Sequence, residues 1–419
     1  MFFSNCRRSV SALLFATGLT GVVPTLAAAP LADWQAQLYQ HPKVQAAQQQ
    51  AEALLWQSQQ QQRGLYNPEL STSVEREGQH TNYSIGVQQT FDWSAQHDVR
   101  AEQASLLQQL AHAQYLTAVS QHAHSVLSRG LDWQRAQQRY QLLTQQQAFI
   151  QQAMQLAEQR FKAGDLGELD LQLTLLNLNQ QRQVTAQAFQ QLQYAQAELL
   201  SQLGQSTLDK WRLPEVFFTL NPSMLASEQR WQQHPQLSVS RLQWQLLRSD
   251  SDWQRTQTRV NPTFAIEAGE SGDETVLGLS MSVPLLLTND FSDSVKAATQ
   301  SANAAEQALL AEQQQWRHRV ASQLTSAQFV QRQWQQWQTT AAASQQRSRE
   351  LIEQAWRTNE LSTSNYLTAM QQWLESQLAG AELNHAQRQA ILDWQYSSGQ
   401  LTERLTPPAL RGPTNATKR

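Results

Sequence analysis

Hydrophobic positions along the chain follow two different periods. Leu70, Thr72 and Val74 share one face while Ser71, Ser73 and Glu75 share the other. Tyr83, Ile85, Val87 and Phe91 are set in the same way against Ser84, Gly86, Gln88 and Thr90. Period two over about ten residues predicts a strand, and Gly78-Gln79-His80-Thr81 has the length of a hairpin turn. Phe264 and Ile266, then Leu277, Leu279, Met281 and Val283, repeat the pattern around Ser271-Gly272-Asp273. The predicted strands cover about 69–78, 82–93, 262–270 and 275–287. Elsewhere the apolar residues recur at roughly heptad spacing among Gln, Ala, Ser and Arg, which predicts helices packed as coiled coils. Two runs, Ser94 to Ala163 and Phe291 to Thr358, are very long. At 1.5 Å per residue, roughly 70 residues extend about 105 Å, more than any compact globular domain. Shorter helices are predicted to return over Leu169–Leu203 and Ser364–Gln400.

The same plan occurs twice. His41-Pro42-Lys43-Val44 recurs as His234-Pro235-Gln236-Leu237, and Asn67-Pro68-Glu69-Leu70 as Asn261-Pro262-Thr263-Phe264. The stretch from Tyr83 matches that from Val276, and Arg160 to Asp170 matches Ala355 to Asn365. Landmarks in one order at one long spacing are the mark of an internal repeat. The expected organisation is therefore a first repeat over 30–204, a linker over 205–230, a second repeat over 231–405 and a flexible tail over 406–419. In each repeat His-Pro opens a helix, with proline placed in the first turn. Asn67-Pro68 and Asn261-Pro262 close it, because the residue before a proline avoids helical dihedrals. Gly164 and Asn359 share one repeat position at the end of the long helices, and these two residue types best tolerate a left-handed stop.

Residues 1–29 read as a secretory signal peptide, with Arg7-Arg8, an apolar stretch from Ser11 to Leu26 and small residues for cleavage near 27–29. The one cysteine, Cys6, lies within it, which leaves the exported part without disulfide or thiolate chemistry. Without Arg7 and Arg8 the chain has 29 basic and 34 acidic residues, which excludes a strongly basic nucleic-acid binder. About one residue in six is Gln, far above ordinary usage, so the chain is polar without being charged. Yet 14 Trp, 12 Phe and 8 Tyr are too much aromatic surface for a disordered chain. No exported segment supplies the ~20 apolar residues of a spanning helix.

Strand number then constrains the architecture. Four alternating strands of about ten residues have the length of outer-membrane barrel strands, and the smallest such barrels have about eight. An open sheet edge in lipid would leave amides unpaired, so several chains must contribute; three would give about twelve strands. Tyr66, Tyr83, Phe91, Trp93 and Phe264 fall near strand ends, where aromatic girdles belong.

With its duplicated helix–hairpin–helix plan, the chain resembles the TolC-type outer-membrane efflux channels over nearly its whole exported length. The resemblance is most specific in Asn67-Pro-Glu-Leu and in Arg160-Phe-Lys-Ala-Gly-Asp-Leu-Gly-Glu-Leu-Asp170. Asn67-Pro-Glu-Leu, with Val87-Gln-Gln-Thr-Phe-Asp and Arg100, looks most like the CzcC/CusC-like branch serving heavy-metal resistance pumps. The family implies a mainly α protomer with a membrane β part. Three copies would form a 12-stranded outer-membrane β-barrel continued by a long periplasmic α-helical barrel. It further implies a passive exit duct in a tripartite efflux system, partnered by a periplasmic adaptor and an inner-membrane pump of RND type, with no cofactor. Residues implied at the periplasmic tip, where the adaptor docks, are Arg160, Gly164, Asp165, Leu166, Glu168 and Asp170 in the first turn. Those in the second turn are Asn359, Glu360, Leu361, Ser362 and Asn365. Asn365 and Thr368 stand where family members often carry acidic gate residues. Alternatives are a duct for drugs or for type I protein secretion, and a structural periplasmic coiled-coil protein.

Catalytic chemistry is absent from the sequence: it has no phosphate loop, no nucleophile motif and no metal-ligand spacing. His122 and His124 are two apart and on a helix point to different faces. Trp316, Trp334, Trp337 and Trp356 read as anchors between helices.

Overall fold

The computed structural model describes residues 28–209, 211–220, 230–272, 274–358, 360–405 and 407–410. The elements follow in chain order. Helices α1 (Ala28–Gln40) and α2 (Pro42–Gln62) precede the hairpin β1 (Glu69–Glu77) and β2 (His80–Thr90). Helix α3 (Gln96–Ala163) turns into α4 (Glu168–Leu203). After a connecting segment come α5 (Pro235–Gln257), the hairpin β3 (Thr263–Ser271) and β4 (Glu274–Ser282), and α6 (Ser292–Trp337). Helix α7 (Ala343–Arg357) turns into α8 (Thr363–Ser397), and α9 (Gln400–Glu403) is a final turn.

The four strands form one antiparallel sheet in the order β1-β2-β3-β4. Pairing is Glu69 with Gln88 in the first hairpin and Thr263 with Ser282 in the second, so the hairpins are related by a shift of 194 residues in both strands. Tyr83 therefore corresponds to Leu277, not to Val276 as the sequence alignment has it. The one-residue correction matters, because such a slip would move every side chain to the opposite face. In the true register Leu70, Val74, Tyr83, Ile85, Val87, Ile266, Leu277, Leu279 and Met281 all lie on one side and are all exposed. The other side carries Ser71, Ser73, Ser84, Gly86, Gly269, Gly278 and Ser280. These small residues let strands crowd: a Cβ on Gly269 would lie 2.4 Å from the Tyr83 carbonyl oxygen. The edges facing away from the sheet, on β1 and on β4, have no strand partner among the described residues.

The helices pack side by side along the long α3. Helix α3 lies between α2 and α4 on one flank and α5 and α8 on the other, and α6 and α7 complete the row against α5 and α8. With 68 residues, α3 is about 100 Å long. Its counterpart is not continuous. A π-helical stretch, Gln338–Ala342, divides α6 from α7. There the hydroxyls of Thr339 and Thr340 both donate to the Gln336 carbonyl, at 2.9 and 2.8 Å, and compete with the helical ladder.

Both His-Pro pairs open helices as expected. His41 Nδ1 accepts from the Lys43 amide and His234 Nδ1 from the Gln236 amide, each at 3.2 Å. Each ring is also packed: His41 stacks on His122 at 4.2 Å, and His234 lies 4.4 Å from Trp316. Burial pushes the His122 and His234 imidazoles down to about 4, with the nearby positive charge of His41 and Lys43 adding to it for His122. For His234, the Tyr396 carbonyl opposes the burial and Arg319 adds to it.

The main core gathers at the ends of α1, α2 and α4, against α3. Trp34, Leu38, Val44, Tyr115, Leu127, Leu199 and Phe217 are all buried in it. The connecting segment belongs to this core. Trp211 and Leu213 lie directly on Gly130, where a Cβ would come within 2.5 Å of the Trp211 ring. Arg388 Nη2 donates to Glu215 at 2.6 Å, and its guanidinium covers the Phe218 ring at 4.4 Å. Leu410 also packs against this core. The expected signal peptide lies outside the described residues up to residue 27, as do the tail from 411 and residue 406.

Candidate functional site

Two places gather the residues that the sequence singles out: the paired helix turns that end the long helices, and the ends of the four-stranded sheet. In the first turn Gly164 has φ +82°, the left-handed conformation that glycine adopts without cost. Gly164 donates to the Phe161 carbonyl at 3.0 Å and Asp165 to the Arg160 carbonyl at 2.8 Å, the double closure of a Schellman turn. Gly167 then leads into α4, with Glu168 and Asp170 in its first turn, where carboxylates favour the positive helix end. Asp165 and Glu168 are exposed, and Leu166 and Asp170 half-buried. No atom lies within 4 Å of a Cβ built at Gly164, so this surface is open.

The second turn has the same closure 195 residues later: Glu360 donates to the Ala355 carbonyl at 2.8 Å. Leu361 donates to that carbonyl as well, at 3.0 Å. Ser362 caps α8, its Oγ accepting from the Asn365 amide at 3.3 Å. Asn359, the residue matched to Gly164, lies outside the described residues. The turns are held side by side by a common core of Ile150, Met154, Leu178, Trp356, Tyr366, Leu367 and Met370. Trp356 and Tyr366 are stacked at 4.2 Å, and Arg160 reaches across from the first turn to within 6.0 Å of the Trp356 ring centre. Burial, reinforced by the Glu353 charge, pushes the Tyr366 hydroxyl up to about 12. Arg160 thus reaches from one turn to the other.

At the sheet, the two Asn-Pro pairs differ. Asn261 and Pro262 are buried. Asn261 Oδ1 accepts from the amides of Trp93 and Ser94, at 2.9 and 3.0 Å, and its Nδ2 donates to the Tyr66 hydroxyl. Phe91 N–H donates to the Pro262 carbonyl. The second repeat is thereby tied to the exit of the first hairpin. Asn67 and Pro68 are exposed, and the Asn67 side chain makes no such bond among the described residues. Aromatic residues cluster there too, with Phe91 and Trp93 at 5.6 and 6.3 Å from Phe264.

One feature had no signal in the sequence. A cavity of about 680 Å³ between α3, α4 and α8 is lined by Arg129, Arg135, Arg139, Asp132, Glu198 and Glu382. Asp132 accepts from His385 at 3.1 Å. Burial raises the Asp132 carboxyl, but the His385 bond and the charges of His385, Arg135 and Arg129 outweigh it and hold it below its ordinary value. These residues come from three separate helices, so no spacing along the chain could reveal them. Among the described residues no group of three or more His, Cys, Asp or Glu is placed to hold a metal ion, and no helix is long and apolar enough to cross a membrane. His122 and His124 do point apart: one stacks on His41 and the other meets Asp393 at 2.7 Å.

A row of long helices packed side by side and bearing a four-stranded sheet with one apolar and one small-polar face is the fold of the TolC-type outer-membrane channels. The outer membrane protein VceC of Vibrio cholerae superposes with a TM-score of 0.71 at 14% identity, over 88% of this chain and 96% of that one. The CmeC outer membrane channel of Campylobacter jejuni gives 0.71 at 13% identity, over 90% of each chain. CusC, whose structures concern folding and transmembrane channel formation, gives 0.69 at 14%, over 88% and 92%. No protein-family model matches the sequence, and no curated protein does.

Proposed function

We propose that this chain is the outer-membrane component of a tripartite efflux system, a passive duct built from three copies. The observation that carries the reading is the sheet. Its exposed apolar side belongs against lipid, its small polar side against water, and its unpaired edges cannot stay open in a bilayer. Three copies supply twelve strands, and the helices continue as a tube into the periplasm. The paired turns around Gly164 and Ser362 then form the periplasmic tip that meets an adaptor protein, beneath which an RND-type inner-membrane pump delivers cargo. Asp165, Glu168 and Asp170 make this mouth attractive to cations by their field. For the cargo we propose heavy-metal cations, on the likeness of Asn67-Pro-Glu-Leu and its following segments to the CzcC/CusC-like branch.

The test is a deletion strain complemented with the chain. Fractionation should recover a detergent-requiring trimer from the outer membrane, and the deletion should sensitise the cell to metal salts. Sensitivity to drugs alone would reassign the cargo, and loss of a secreted protein would make the duct a type I secretion channel. A monomer extracted without detergent would favour the structural coiled-coil protein instead.

A further inference from the structure

The cavity between α3, α4 and α8 holds charges that do not pair off evenly. Arg129 meets Asp132 at 3.3 Å and Glu198 at 4.0 Å. Arg135 meets Asp132 at 3.7 Å and Glu382 at 3.5 Å. The three carboxylates of the lining are thus engaged by two of its three arginines. Arg139 has no ion pair and no side-chain hydrogen bond among the described residues, and its Nε is shielded from solvent. A buried donor left without an acceptor costs free energy, which a bound oxyanion would return.

The rest of the lining is uncharged. Gln187, Gln190 and Gln191 line it from α4, and their side-chain amides make no hydrogen bond among the described residues. Tyr194 is 69% exposed, and Ala136 and Ala195 add apolar surface beside it. Arg139 follows Gly130 by nine residues, about two and a half turns, so the two occupy opposite sides of α3. The connecting segment packs on Gly130 and so leaves the cavity uncovered. Its volume of about 680 Å³ lies in the range of small-molecule sites.

We propose that this cavity binds a small organic anion with a single carboxylate and a flat aromatic body. The planar guanidinium of Arg139 takes the carboxylate as a bidentate pair, and the glutamine amides supply further donors. The Tyr194 ring, with Ala136 and Ala195, carries the body. Asp132, Glu198 and Glu382 surround the same space and repel a second negative charge, which selects against dianions. The site lies within one chain and does not depend on how copies assemble. It also differs in charge from the cationic cargo proposed above.

Naphthoate is a suitable probe, with naphthamide as its neutral counterpart and naphthalene dicarboxylate as its dianion. Titration calorimetry of the full chain in detergent should give one naphthoate site per chain. Naphthamide and the dianion should each bind at least about tenfold more weakly. Arg139→Gln should weaken naphthoate about tenfold or more with melting unchanged. Arg139→Lys keeps the charge but loses the fork, and should fall between the two. Arg182→Gln removes a charge from α4 outside the cavity and should bind like the parent. No saturable binding by the parent, equal binding of naphthamide, or an equal loss in Arg182→Gln would each overturn the site. Tighter binding of the dianion would overturn the single-carboxylate class. A second measure needs no variant: naphthoate should slow phenylglyoxal modification of Arg139, read by peptide mass mapping, several-fold. An unchanged rate would remove Arg139 from the site.

Discussion

The lipid-facing assignment can be tested by a single charge. Leu279 lies near the middle of β4 and opposite Ile266, and it is 79% exposed in the chain. On a soluble protein, Leu279→Arg at so exposed a site would change stability by less than about 0.5 kcal/mol. At the middle of a barrel strand facing lipid, the same arginine costs about 2–4 kcal/mol. Three copies unfolding together would sum this to about 6–12 kcal/mol. Ser280→Arg, one residue further on the polar side, supplies the control, because it adds the same charge to the same strand but points it at water. The assay is the urea midpoint of trimers folded into lipid vesicles, together with the yield of folded trimer. Leu279→Arg should lose most of its folded yield while Ser280→Arg stays near the parent. Equal midpoints for the two variants would refute the assignment of the apolar face to lipid, and with it the membrane location of the sheet.

Further outcomes follow from the helices and turns. Gly164→Val forces a β-branched residue into a φ of +82°, at about 1–3 kcal/mol; the trimer should form, but cross-linking to the adaptor and export should fall. Asn365→Asp places one carboxylate per copy at the second turn, and single-channel recordings should show stronger block by divalent cations. Gly130→Ala drives a methyl into Trp211 and Leu213, and overpacking of this kind costs about 1–3 kcal/mol; thermal melting should fall, and Trp211→Leu in that background should recover part of it. Burial depresses His122 and His234 to about 4, so the unfolded chain binds more protons than the folded one below pH 6.5. Their contribution to stability is complete above pH 6.5 and is lost as pH falls toward 4. Urea midpoints should drop across that window, and His234→Gln should flatten the drop.

The sequence by itself determined the local elements. Strand alternation, heptad runs, His-Pro starts and the glycine stop at 164 each depend on residues within a few positions of one another, and a repeat states them twice. It also determined which side of each strand is apolar, since period two leaves no freedom there. It misaligned the second hairpin by one residue, because side-chain likeness is a weaker constraint than backbone pairing. Only the tertiary structure decided what depends on distant partners. The 205–230 connection reads as a linker, but Trp211, Leu213 and Phe217 bury themselves against helices from elsewhere in the chain. The two threonines that open α6 into a π-turn looked like any polar pair inside a helix. Asn67 and Asn261 are equivalent along the chain, and one is buried while the other is exposed. Nothing local distinguishes them. The difference arises because a single chain presents the backbone before α3 to Asn261 and presents no equivalent to Asn67.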